Sequence, residues 1–249
     1  MTADGMQAET VEIRGGGNDP IEAYLARPLG RSATGGVVVI HHMPGYDAAT
    51  KEITRTFAAN GYLALCPNLY SREAPGADPD DAAAAVRAMG GVPDERLVGD
   101  VAGAATHLQA MPESNGKVAT IGYCSGGRQS LLSACRLELD AAVDCYGAFV
   151  IGQVPEGLPL KVEPLTLLLG DLSCPLLGLF GAEDKYPAPE EVAELEQLLE
   201  AAGKEFEFHT FEGAGHAFFA TDRPSYRPEA ATEGWRLIWD FFGRTLTGG

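Results

Sequence analysis

Cys124 stands at the centre of Gly122-Tyr123-Cys124-Ser125-Gly126, with an apolar, β-branched run from Lys117 to Ile121 before it and a helix-forming run from Ser130 to Cys135 after it. Strand, sharp turn and helix with a thiol at the apex is an arrangement for nucleophilic catalysis. Such a turn holds its central residue in strained backbone geometry, and only small neighbours let strand and helix approach each other. The thiol would lie near a helix N-terminus, whose partial positive charge favours the thiolate. A tight turn around a buried, inert cysteine is the competing reading, since free cysteine is among the most buried residue types.

A thiol nucleophile needs a base, a group that orients the base, and donors for the developing oxyanion. Asp184 ends Gly181-Ala182-Glu183-Asp184, directly after the apolar run Leu176 to Phe180. His216 ends a glycine-rich stretch that follows the alternating run Phe206 to Phe211. Taken singly, Asp184 reads as a helix cap ahead of Pro189 and His216 as a loop histidine. Together with Cys124 they fall at predicted strand ends in the order nucleophile, acid, histidine, which is the order of the α/β-hydrolases. The oxyanion site requires two backbone N–H groups. Ser125 supplies one, as the residue after the nucleophile. Met43 is the candidate for the other, because Pro44 has no N–H and Gly45 lets the loop fold tightly behind it.

The elements that must position these residues are legible in outline. Val11–Arg14 and Ile21–Arg27 alternate across a Gly-rich turn and predict an edge hairpin. Gly35–Ile40, Tyr62–Cys66, Lys117–Tyr123, Ala141–Cys145 and Leu176–Phe180 are short apolar runs of the kind found in buried parallel strands. Between them fall helical patterns: Asp47 to Asn60, Asp80 to Met89, Pro93 to Met111, Pro189 to Ala202 and Glu229 to Phe242. Alternating strands and helices predict one α/β domain over residues 1–249, with a doubly wound, mostly parallel sheet and function at the strand carboxyl ends. Residues 1–10 are polar and acidic, and predict a disordered N-terminal segment.

Composition excludes some classes of function. A net charge of −17 with no basic block argues against nucleic-acid binding. Five cysteines without a CxxC pair predict neither a disulfide framework nor a zinc site. No signal peptide or membrane-length apolar run is visible, so the expectation is a cytoplasmic protein without a membrane partner. It would be a monomer or small homo-oligomer.

The sequence resembles the dienelactone hydrolases (carboxymethylenebutenolidases) from about Ile21 to Phe242. The resemblance rests on Gly122-Tyr-Cys-Ser-Gly-Gly127, Cys66-Pro-Asn-Leu-Tyr70, Tyr146-Gly147, Gly181-Ala-Glu-Asp184 with Pro187-Ala-Pro189 behind it, and Gly215-His-Ala-Phe218. It implies the α/β-hydrolase fold and metal- and cofactor-free hydrolysis of an enol-lactone or small activated ester. Cys124 would form an acyl-enzyme, His216 would assist water, and Asp184 would hold the imidazole tautomer. Two departures bear on substrate. The family's thiol-activating glutamate is matched here by His42, which either joins the pocket or serves a structural role behind it. The arginines that grip a substrate carboxylate are missing from their usual places, which leaves Arg72 and Arg128 as substitutes and Tyr146 as a further pocket candidate. A plain solvent-facing Arg128 and a packed core Tyr146 are equally open at this stage. Two alternatives follow from the departures: a carboxylesterase or thioesterase with a wider apolar pocket, and a non-hydrolytic ligand binder or redox sensor.

Overall fold

A computed structural model describes residues 5–30 and 34–247. In chain order the elements are β1 (Met6–Arg14), β2 (Pro20–Pro28), β3 (Thr34–Ile40), α1 (Ala48–Ala59), β4 (Leu63–Pro67), α2 (Pro79–Met89), α3 (Asp94–Gln109), β5 (Ser114–Tyr123), α4 (Ser125–Ala134), β6 (Ala141–Cys145), β7 (Leu176–Gly181), α5 (Pro189–Ala201), β8 (Phe206–Phe211) and α6 (Pro228–Thr245). The strands form one eight-stranded sheet in the order β1-β2-β4-β3-β5-β6-β7-β8. β1 pairs antiparallel with β2, and β2 antiparallel with β4. From β4 to β8 every pairing is parallel.

Strand alternation builds two cores, one on each face. Val37 and Val39 of β3 point to the side covered by α1 and α6, where Phe57, Ile238 and Phe242 pack. Val38 and Ile40 point to the other side, against Leu97, Val101 and Leu108 of α3 and Leu131 and Leu132 of α4. A strand buried on both faces needs apolar residues at every position, which is why β3 is buried along its whole length. The order reverses direction at β3: β4 lies on one side of it and β5 on the other. Loops leaving β3 and β5 therefore diverge and open a crevice at the sheet's carboxyl edge.

The first strand begins earlier than composition predicted. The expected disordered segment 1–10 is strand from Met6, with Met6 opposite Pro28 and Thr10 opposite Tyr24. The side chains of Met6 to Thr10 are exposed, so no apolar alternation marks this part, and the backbone ladder holds it to β2 with one added bond from Arg27 to Gln7 (2.9 Å). Residues 1–4 lie outside the described residues.

Arg72 is drawn into the same region. Its guanidinium makes two bonds to the fully buried Asp100 (2.8 and 2.9 Å), one to Asp19 (2.9 Å) and one to the Gly16 carbonyl (3.1 Å). The Gly16 N–H also donates to Asp100 (2.8 Å). The expected role of Arg72 in substrate binding is corrected by this fork: a buried carboxylate on α3 takes the charge, and the pair ties the β1–β2 turn to the helix. Removing one member of a buried pair leaves the other charged and unpaired. Arg72→Ala should therefore lower unfolding free energy by about 3–5 kcal/mol in urea denaturation. An Arg72→Ala/Asp100→Ala double variant should recover part of that loss.

Candidate active site

Steric exclusion shapes the turn after β5. Cys124 has φ 57° and ψ −123°, a left-handed conformation that costs any residue with a Cβ. The chain accepts it because the neighbours have no side chains. A Cβ on Gly122 would collide with the Gly126 carbonyl, and one on Gly126 with the Ile40 carbonyl. The Cys124 N–H donates to the Cys145 carbonyl at 3.0 Å, and its carbonyl accepts from the Gly127 N–H at 2.9 Å. Cys124 is partly exposed, whereas Cys66, Cys135, Cys145 and Cys174 are buried, and burial pushes their thiols up, Cys135 and Cys174 to about 12. Only one thiol is thus placed to react. α4 starts at Ser125, five residues before the helix-forming run that marks it in the sequence, so Cys124 occupies the N-cap itself.

β7 and β8 bring the other two groups to this point. Asp184 is buried. Its Oδ1 accepts from the N–H groups of Lys185 (2.7 Å) and Tyr186 (2.9 Å), which fixes the carboxylate plane. Its Oδ2 lies 2.8 Å from Nδ1 of His216. With Nδ1 donating to Asp184, Nε2 is left to face the thiol. Burial alone lowers the His216 pKa, but its hydrogen bonds to Asp184 and Cys124 outweigh this and raise it to about 10. The two loops are stitched together by Glu183 N–H to the Ala214 carbonyl (2.8 Å) and Ala182 N–H to the Phe211 carbonyl (3.0 Å). Cys124, Asp184 and His216, far apart in sequence, meet at one sheet edge.

A cavity of about 530 Å³ opens over them, lined by Cys124, Ser125, Asp184 and His216 together with Met43 from the loop after β3. Ser125 is the first residue of α4, so its N–H has no partner within the helix. The Met43 loop is held from below. Tyr70 donates its hydroxyl to the Met43 carbonyl (3.1 Å). His41, fully buried, hydrogen-bonds the His42 carbonyl through Nδ1 (2.9 Å) and accepts from the Leu69 N–H at Nε2 (3.2 Å). Burial lowers the His41 pKa to about 4, so the ring is neutral and serves both bonds.

Three candidates for substrate contact are engaged by other partners. His42 does not line the cavity; its Nε2 is 2.7 Å from Asp47, whose other oxygen accepts from Thr50 N–H (2.8 Å) and caps α1. It anchors the strand end to the helix instead of meeting the thiol, because a cap carboxylate five residues on lies within reach. Tyr146 is also absent from the cavity wall. It is buried behind His216 with ring centroids 5.1 Å apart, edge to face, and packs on Phe218. Arg128 does border the cavity, but it is buried and both its Nη atoms pair with Asp94 (3.0 and 2.9 Å). A third bond reaches the Glu163 carbonyl (2.6 Å). Neither solvent-facing nor free for a ligand, it ties α4 to α3 and to the loop after β6.

Arg87 is the cation that sequence reading missed. It lines the cavity from the last turn of α2, and no carboxylate among the described residues pairs with it. Its position inside an Ala-rich helical run gave no sign of which way that helix faces. No cluster of His, Cys, Asp or Glu spaced for a metal ion occurs among the described residues.

Asp144 of β6 is a second carboxyl beneath the turn, fully buried, with Oδ1 accepting from Gly147 N–H (2.7 Å) and Oδ2 without a partner among the described residues. Burial raises its pKa to about 7, against the opposing pull of the Gly147 N–H and the charge on His216. Because the folded-state value lies above the ordinary one, the folded protein holds this proton more tightly than the unfolded chain. The stability it contributes is full below about pH 4 and is lost as pH rises toward 7. Relative to wild type, Asp144→Asn should therefore gain stability between pH 4 and pH 8, by up to about 4 kcal/mol in paired urea denaturations.

The profile of the dienelactone hydrolase family matches residues 21–246. A "Putative carboxymethylenebutenolidase" of Salmonella typhimurium is 34% identical over 236 residues, covering 91% of this chain and 83% of that protein. The "Carboxymethylenebutenolidase" of Pseudomonas putida is 32% identical over 201 residues, covering 78% and 79%. The crystal structure of a "Putative Dienelactone Hydrolase" from Klebsiella pneumoniae superposes with a TM-score of 0.85 at 28% identity, over 96% of this chain and 99% of that one. With Cys124, Asp184 and His216 gathered at strand ends of a mostly parallel sheet, the chain belongs to the dienelactone hydrolase family and has the α/β-hydrolase fold of a carboxylic ester hydrolase.

Proposed function

We propose that the protein opens an enol-lactone, or cleaves a small activated ester, through an acyl-enzyme on Cys124. The observation that carries this reading is His216, held by Asp184 through Nδ1 at 2.8 Å, lining the same cavity as Cys124, and raised in pKa by both. A histidine held protonated beside a cysteine favours a thiolate, which needs no further base to attack.

Cys124 Sγ adds to the lactone carbonyl, and the oxygen that gains charge is met by the N–H groups of Met43 and Ser125. Collapse breaks the ring C–O bond. The departing enolate takes the proton from His216 Nε2 and tautomerises to the ketone. The neutral imidazole then takes a proton from water, and the hydroxide adds to the thioester carbonyl. Breakage of the C–S bond releases the acid and restores the thiolate beside the imidazolium. Asp184 keeps the ring in one orientation through both proton transfers.

Arg87 supports a substrate that carries a carboxylate. An unpaired guanidinium at the cavity wall is well placed to accept one, and the apolar surroundings strengthen the attraction. The carboxymethylene group of a dienelactone is such an anion.

Intact-protein mass spectrometry after brief exposure to a dienelactone and to p-nitrophenyl acetate tests the chemistry. An acyl adduct should map to Cys124 in the wild type and be absent from Cys124→Ala, with turnover lost in the variant; full activity in Cys124→Ala overturns the reading. Arg87→Ala should raise KM for dienelactone about 10- to 100-fold, the worth of one charge-assisted hydrogen bond, and leave the neutral p-nitrophenyl ester much less affected.

A further inference from the structure

The catalytic groups and Arg87 account for only part of the cavity. At about 530 Å³ it falls in the size class that encloses drug-sized ligands, roughly 300–1,000 Å³, and exceeds what one five-membered ring with a short acidic substituent fills. Asp94, Arg128, Gln129, Glu183 and Lys185 also border it, and one part of the remaining wall is apolar. Val86 and Val92 come from the end of α2 and the link to α3, and Leu160 and Val162 from the segment between β6 and β7.

That wall is fixed in place by bonds unrelated to catalysis. The Lys161 N–H donates to the Gly90 carbonyl (2.8 Å), and the Leu165 N–H to the Val150 carbonyl (2.6 Å). Between these two points, Arg128 holds the Glu163 carbonyl while its charge is neutralised by Asp94. Gly90 has a positive φ of 99°, and a Cβ there would press on the Lys161 side chain at 2.8 Å. Val162 is thus pinned on both sides and Leu160 lies next to the first of these points, so their apolar surface is held over the cavity. Half-buried apolar side chains facing a preformed cavity gain by covering with an apolar ligand.

We propose that this wall is a subsite for an apolar arm of the substrate, so that the preferred ligand is a lactone or ester bearing an aryl or branched alkyl group on its reactive core. The Val86, Val92, Leu160 and Val162 surface receives the arm while Cys124 meets the carbonyl. The inference rests on the acyl-enzyme reading for its chemistry, but its binding step does not.

A matched pair of enol-lactones isolates the arm: a γ-methylene butenolide and its γ-benzylidene counterpart, which differ by one phenyl group. Wild-type kcat/KM should favour the benzylidene compound at least ~10-fold, the worth of burying one large apolar group. Leu160→Asp and Val162→Asp, on half-buried loop positions that tolerate a polar residue, should each shrink that ratio toward one. Calorimetric titration of Cys124→Ala with both lactones gives a readout free of turnover, and should show the same preference in Kd. If that variant prefers the benzylidene lactone while the wild type hydrolyses neither, the subsite stands and the acyl-enzyme reading falls. If the wild type hydrolyses both with equal kcat/KM and the variant binds them equally, the chemistry stands and the subsite is overturned. A preference that survives both loop substitutions also overturns it, since the arm would then lie elsewhere.

Discussion

The first turn of α4 is packed against three strand ends at once. Gly122 lies under the Gly126 carbonyl, Gly126 against the carbonyls of Ile40 and His41, and Gly127 against the Asp144 carboxyl and the Cys145 carbonyl. No side chain fits at any of the three positions, so β5 cannot enter the helix through ordinary backbone geometry. Cys124 takes the left-handed conformation as a result, at a cost of order 1–3 kcal/mol for a residue with a Cβ. The strain has a use. It lifts the thiol above the sheet, at the N-cap of a helix and on the crevice where the strand order reverses. Met43, Asp184 and His216 need only end their own strands to meet it.

Around that point, charge is spent mainly on holding loops. Arg72 is engaged by Asp100, Arg128 by Asp94, and His42 by Asp47. Each pair links two elements that the sheet does not connect directly: the loop after β4 to α3, α4 to α3, and the end of β3 to α1. Pairs of this kind contribute little net stability where the desolvation penalty offsets the attraction, but losing one partner is costly. They hold the catalytic loops in place without touching substrate. Asp144 differs in having no ion-pair partner among the described residues, and one of its oxygens accepts no hydrogen bond there. A carboxyl in that position is tolerated only because it keeps its proton over much of the pH range.

The meeting of Cys124, Asp184 and His216 at one sheet edge was legible because each is marked by a local pattern: an apolar run ending in a glycine-framed or glycine-rich turn. The sheet was legible for a similar reason, since strands buried on both faces carry continuous apolar runs. Roles set by distant partners were not. Whether Arg72 meets substrate or Asp100 depends on how α3 lies across the β1–β2 turn, 28 residues away in sequence. Arg128 and Asp94 are 34 apart, and only the path of the loop through Glu163 brings the third partner to them. The early start of β1 escaped notice because backbone hydrogen bonds hold an exposed edge strand regardless of side-chain type. Arg87 escaped because helical periodicity ranks faces by hydrophobicity, and a face turned toward a cavity is neither core nor solvent.

The overall charge bears on what the cavity selects. A chain with net charge −17 presents a repulsive far field to an anionic substrate, but in physiological salt that field is screened within about 8 Å. Within that range the groups at the cavity wall dominate, and the carboxylate nearest Arg128, Asp94, is already neutralised. Besides Lys185 and Glu183, which also border the cavity, a seating ligand meets Arg87, whose guanidinium is paired with no carboxylate among the described residues. Val86, the residue before it on α2, borders the same cavity with an apolar surface. One helical turn thus offers an anion-binding group and an apolar contact side by side, held at fixed distance from Cys124 by the pinned segment opposite. Neither contact acts on the carbonyl directly. Under the acyl-enzyme proposal, a ligand that satisfied both would be oriented before the thiol attacked, and this is the form in which binding energy away from the reacting bond lowers its barrier.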